Sequence, residues 1–140
     1  MNKKELLNKM VNKQKHEIDP QYHLKYSDLV RISSKISSDF IDCDNCCLWE
    51  GYVTNLTNPK KGRYINFYFN KRKMPLHRLI YNNFKDNLSK GEYLKFSCKN
   101  KGYCLNINHM DKVYNNVPLS ENSIKKIDLF KNISTKVSFD

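Results

Sequence analysis

The chain has 140 residues, enough for one modest domain. It carries 25 Lys+Arg against 14 Asp+Glu, a formal charge of +11. Such a field attracts polyanions, nucleic acid first among them, with an acidic protein as the other partner class. No apolar run reaches the ~18 residues that a spanning helix needs. The start, "MNKKELLNKMVNKQKHEI", also lacks the apolar core of a secretory signal. These features predict an intracellular protein with no membrane partner, placed in the nucleus, or in the cytoplasm or virion if viral. Alanine is absent, Arg is scarce among the basic residues, and Asn, Lys, Ile and Tyr abound. That profile fits an AT-rich genome, as in a large DNA virus or a protist, and it inflates Lys for reasons unrelated to function.

In chain order, residues 2–16 read as a charged helix. Leu6, Leu7, Met10 and Val11 form one narrow apolar stripe. The stripe is the one feature that hints at a protein partner. Asp19-Pro20 breaks the pattern. A second helix is expected over 27–37, with Leu29, Val30, Ile32 and Ile36 inward. "NLTNPKKGR" (55–63) reads as a turn or loop, with Asn58-Pro59 and Gly62 as breakers. "YINFYFN" alternates as a strand, with Tyr64, Asn66, Tyr68 and Asn70 on one face and Ile65, Phe67 and Phe69 on the other. "KRK" (71–73) reads as a basic turn. "LHRLIYNNF" (76–84) reads as a helix burying Leu76, Leu79, Ile80 and Phe84. "EYLKFSCK" (92–99) is a short strand and "CLNINHM" (104–110) a loop. A closing helix is expected after Ser120, with Ile124, Ile127, Leu129 and Phe130 inward. The fold class is therefore α+β, with helical additions at both ends. The expected division is a helical arm over 1–40, a central domain over 41–117, and a C-terminal helix and tail over 118–140.

Chemistry concentrates in the central segment. Cys98-x5-Cys104-x4-His109 supplies two thiolates and an imidazole, the donors zinc prefers. A tetrahedral site needs four ligands, so the fourth must come from Cys43, Cys46 or Cys47. In a reducing compartment, clustered cysteines beside a histidine point to metal rather than to disulfides. Four protein ligands leave no open position, so the expected cofactor is one structural Zn2+, which would supplement a small core.

The order of these motifs resembles the zinc-containing HNH branch of the His-Me finger (ββα-metal) endonucleases. Cys46-Cys47-Leu48-Trp49-Glu50-Gly51 is similar to that family's Cys-x-x-Trp-x-Gly element. Leu76-His77-Arg78 stands where the family has Ala-His-Arg. Phe96-Ser97-Cys98 stands at the family's His-x-Cys, and Cys104-Leu105-Asn106-Ile107-Asn108-His109-Met110 at Cys-x-Asn-Pro-x-His-Leu. The likeness covers about residues 43–116. It implies a ββα-metal core and a ligand set of Cys46, Cys98, Cys104 and His109, with Cys43 the alternative to Cys46.

The resemblance also implies a loss. In the family, the His of His-x-Cys is the general base that activates water. Here that position is Phe96, whose phenyl ring accepts no proton. Asn106 belongs to a different motif position and does not replace it. His77 is the candidate for a relocated base, and Asn115 or Asn116 for the downstream Asn that holds a catalytic metal. The expected protein is a degenerate endonuclease scaffold without catalytic residues. It would bind nucleic acid, duplex DNA foremost, through Lys60, Lys61, Arg63, Lys71, Arg72, Lys73 and Arg78 around the strands and the following helix. Lysines there would contact phosphates, and the planar guanidinium groups would make the directional contacts. Tyr64 and Tyr68 are candidate stackers, whereas Phe67, Phe69, Phe84 and Phe96 are expected in the core. The alternatives are an assembly protein that docks a partner through the metal domain, and an active nuclease using His77.

Overall fold

The computed structural model describes residues 2–114. It is a small mixed α+β fold, with three α-helices and two two-stranded sheets among the described residues. Residues up to Asn87, together with Phe96–Asp111, form one compact unit. Leu88–Lys95 and the described residues from Lys112 onward belong to a second.

Helix α1 spans Lys3–Lys13, and its start is written in the sequence. The Asn2 side chain accepts the Glu5 N–H at 2.8 Å, and the Glu5 carboxylate accepts the Asn2 N–H at 3.0 Å. This reciprocal pair satisfies two N–H groups that a helix start leaves open. Helix α2 spans Tyr26–Ser33. It stops short of the expected 37. The Ser33 and Ser34 hydroxyls donate to the carbonyls of Val30 and Arg31, which competes with further helix.

The apolar stripe of α1 is largely consumed inside the chain. Leu6 and Met10 are fully buried, Leu7 is half-buried, and only Val11 is exposed. Leu24, Leu29, Ile32, Ile36 and Phe40 join them in the interior. The first forty residues therefore pack within the same unit as the central segment rather than as an appended arm. Asn83 shows why. It is fully buried on α3, donates to the carbonyls of Tyr22 and Leu79, and accepts from Gln14 Nε2 at 2.7 Å and the Leu24 N–H at 3.0 Å. One amide thus ties the end of α1 and the following loop to α3.

Strands β1 (Asn66–Phe69) and β2 (Arg72–Pro75) pair antiparallel, with Phe69 opposite Arg72 and Tyr68 opposite Lys73. The expected alternation is observed: Ile65, Phe67 and Phe69 are buried, and Tyr64, Asn66, Tyr68 and Asn70 are exposed. The basic turn is shorter than expected. Only Asn70 and Lys71 turn, both at positive φ, and Arg72 and Lys73 already belong to β2. Helix α3 (Leu76–Phe84) follows directly and buries Leu76, Leu79, Ile80 and Phe84, as its spacing requires. Phe84 meets Phe40 edge-on at 5.0 Å.

Strands β3 (Glu92–Phe96) and β4 (Met110–Tyr114) make the second sheet. A 3-10 turn at Ile107–His109 interrupts the expected loop before β4. The segment expected to form a closing helix after Ser120, like Asn115 and Asn116, lies outside the described residues. Among the described residues no helix is long and apolar enough to cross a membrane.

Candidate metal centre

Two loops meet to form the site. In the first, residues 47–49 run against 103–105. The Trp49 N–H donates to the Tyr103 carbonyl at 2.9 Å, and the Leu105 N–H to the Cys47 carbonyl at 2.7 Å. Trp49 folds back over Gly51, where a Cβ would come within 2.6 Å of the indole nitrogen. That contact is the physical reason for a Trp-x-Gly pair here. In the second loop, Tyr103 and Cys104 turn back onto the Asn100 carbonyl. Gly102 sits at φ +94°, and a Cβ there would overlap the Arg63 carbonyl oxygen. Only glycine meets both demands.

This arrangement brings Cys46, Cys98, Cys104 and His109 together, with all their ligand atoms within 4.8 Å of one another. The set could hold a metal ion, and it is the set expected from the sequence. Cys43 and Cys47 stand outside it. Cys47 is fully buried, donates to the Ser38 carbonyl at 3.2 Å, and is pushed up to about 11 by burial. It is a core thiol. Cys43 is half-buried, and its backbone carbonyl serves the site while its thiol does not.

His109 presents one nitrogen to the thiols. Its Nδ1 lies 3.7 Å from Cys46 Sγ and 3.6 Å from Cys104 Sγ. Its Nε2 lies 2.8 Å from the Asp44 carbonyl oxygen, which can only accept, so Nε2 carries the proton and Nδ1 offers its lone pair. The thiols differ. Burial pushes Cys104 up to about 12. Burial opposes ionisation of Cys46 too, but hydrogen bonds from Asn100, Cys104, Cys98 and His109 outweigh it and hold that thiol below its ordinary range.

Sequence reasoning placed Asn106 on a motif position without assigning it a task. It is fully buried, and its amide donates to the Cys43 carbonyl at 2.7 Å and the Asn45 carbonyl at 2.6 Å. Its oxygen accepts the Asn108 N–H at 2.9 Å. Asn106 therefore clamps the loop carrying Cys46 onto the loop carrying Cys104 and His109. Its signal in the sequence was an Asn inside an apolar run, Leu105-Asn106-Ile107. Asn83, in "LIYNNF", gave the same signal.

Phe96 lies at the end of β3, half-buried, with its ring edge-on to His77. His77 is buried at the start of α3, with Nε2 2.9 Å from the Cys104 carbonyl. Burial pushes its imidazole down to about 4, against that hydrogen bond. This is a bracket between α3 and the ligand loop, with its donor already engaged.

Among the expected basic contacts, Lys60, Lys61, Lys71, Arg72 and Lys73 are exposed. Arg63 is half-buried: its Nε donates to the Leu56 carbonyl at 3.0 Å and its guanidinium covers the Tyr103 ring at 5.5 Å. Arg78 is half-buried on α3, with its carbonyl accepting from Asn82. Sequence reasoning missed Arg31. It stacks on the Phe67 ring at 4.2 Å, donates to the Tyr68 carbonyl at 2.9 Å, and pairs with Asp28 at 2.7 Å.

No protein-family model and no solved structure matches the chain. The chain is similar to an uncharacterized protein of Acanthamoeba polyphaga mimivirus, with 46% identity over 111 residues. That match covers 79% of this chain and 32% of the mimivirus protein, so the chain spans about a third of the length of the curated relative it matches.

Proposed function

We propose that the chain is a zinc-stabilised module that binds duplex DNA without cleaving it. The zinc assignment is supported by donor type and spacing. A tetrahedral zinc with ordinary Zn–S and Zn–N bonds separates sulfur from nitrogen by about 3.6 Å. The Sγ to Nδ1 distances of 3.7 and 3.6 Å match it. Three thiolates and one imidazole are a soft, closed donor set that suits a structural ion.

The DNA reading rests on one observation above the others. The β1–β2 hairpin carries Lys71, Arg72 and Lys73 exposed beside the outward ring of Tyr68. A two-stranded ribbon fits the major groove by width, and the net charge of +11 favours the encounter. The motif order that resembles the HNH branch supports the same reading. On that resemblance β3 and β4 are the paired strands of a ββα-metal core, and Phe96 takes the place of the general base. The protein is then a scaffold that grips DNA and carries a phenyl ring where the family has its general base.

The test is affinity for a mixed-sequence duplex across a salt series, in zinc-containing buffer with magnesium present. Binding that weakens steeply with salt, on an intact duplex, is the expected result. An unbound duplex at low salt sinks the DNA reading, and a nicked one sinks the non-catalytic reading.

A further inference from the structure

The geometry points to Lys71, at the tip of the β1–β2 hairpin, as a phosphate contact that the fold keeps in a strained backbone conformation for the sake of binding. The inference deepens the duplex-DNA reading above and rests on it.

Two-residue hairpin loops whose residues both take positive φ are preferentially built as Asn-Gly, because the second position suits glycine best. Here Asn70 has φ +51° and Lys71 has φ +67°. Asn tolerates this region through its short polar side chain, but Lys gains nothing local there and its Cβ crowds the backbone. Glycine at 71 would close the same turn without strain. The chain places glycine where space or φ demands it elsewhere, as at Gly102. A lysine at 71 therefore contradicts local preference, and such contradictions collect where a side chain is needed for function.

The surroundings support that use. Lys71 is exposed in the two-residue turn and is followed by exposed Arg72 and Lys73, and among the described residues no carboxylate pairs with any of the three. The hairpin behind the tip is braced. Arg31 covers Phe67 and holds the Tyr68 carbonyl, and Phe67 and Phe69 anchor β1 in the core. An unpaired ammonium held at the end of a rigid ribbon can meet a phosphate with little further ordering.

Two substitutions separate charge from strain. K71Q removes the charge and keeps the Cβ; K71G removes both. The exposed Lys13 at the end of α1 supplies a control, K13Q, with the same loss of net charge. Duplex affinity across a salt series and thermal melting are measured on all of them with zinc bound. Both Lys71 variants are expected to bind about 8-fold more weakly at 0.1 M salt, with the log–log salt slope shallower by about 0.9, the release expected for one phosphate contact. K13Q is expected to bind like the parent. K71G is expected to melt about 3 °C higher, and K71Q like the parent. If the parent binds duplex and K71Q matches its affinity and slope, the tip is not a contact. If K71G melts no higher, the turn holds no strain. A parent protein that leaves duplex unbound overturns the DNA reading itself, and with it the grip, while the melting comparison still reports on the strain.

Discussion

The ring of Phe96 meets the ring of His77 edge-on, with centroids 5.1 Å apart and planes at 88°. The apolar residue at the expected base position is thus matched to a buried imidazole that is itself hydrogen-bonded to the ligand loop through the Cys104 carbonyl. The pair packs beside the loop that carries Cys104. The parent protein is expected to leave duplex DNA intact with magnesium. F96H, which fits the same space, is the variant in which nicking should first appear. H77A should cost about 2–4 kcal/mol, from a lost buried hydrogen bond and a cavity, and should leave cleavage at background. Plasmid nicking and denaturant melts check both statements. Nicking by the parent that H77A abolishes would restore His77 as a base.

On the zinc reading, withholding the metal should unfold the unit. Structural zinc contributes on the order of 10 kcal/mol of metal-linked stability, comparable with a small domain's whole margin. A strong chelator is expected to abolish the cooperative thermal transition, and stoichiometric zinc to restore it. C46S, C98S and C104S should each lose tight metal binding, whereas C43S should retain one ion per chain. Metal analysis after gel filtration reads the outcome. One ion bound to C46S but none to C43S would move the fourth ligand to Cys43.

Asn106 should matter as much for metal retention as its distance from the donor atoms allows. Asp at this position can still accept the Asn108 N–H but cannot donate to Cys43 and Asn45, and it sets a charge against two carbonyls. N106D is expected to lower zinc affinity by about 10–100-fold. Competition with a chromophoric chelator measures it. The cobalt form should keep its tetrahedral spectrum, with only the affinity changed. An unaltered affinity would show that the loops hold their register without the clamp.

Lys9 of α1 reaches Asp39 at 2.6 Å and Asp42 at 2.8 Å. Burial alone would raise the Asp39 carboxyl, but Lys9 and the N–H groups of Ile41 and Asp42 outweigh it and hold it below its ordinary value. Lys9 is raised by the same two carboxylates. The sign follows. A depressed carboxyl stabilises the fold above its unfolded pKa, and that contribution is lost as pH falls through its folded value. Melting temperature should therefore drop on acidification below pH ~4. D39N should reduce that drop and cost about 0.5–1 kcal/mol at neutral pH, since the pair is only partly shielded. Identical acid profiles for D39N and the parent would remove the pair from the acid response.

Much of the fold could be read in advance from local patterns. Alternation placed β1, and spacing placed α3 to the residue. The motif order picked the four residues that the fold brings together and that could hold a metal ion. Each depends on side-chain period or donor type, which the chain carries in itself. Other features depended on which distant groups meet. That α1 packs inside the main unit was decided by Asn83 and the buried faces of Leu6 and Met10. That Arg72 and Lys73 belong to a strand was decided by their pairing with β1. Asn106 became a clamp because two carbonyls some sixty residues earlier in the chain lie within its reach. Hydrogen bonds across such separations have no period and no spacing, so only the tertiary structure could supply them.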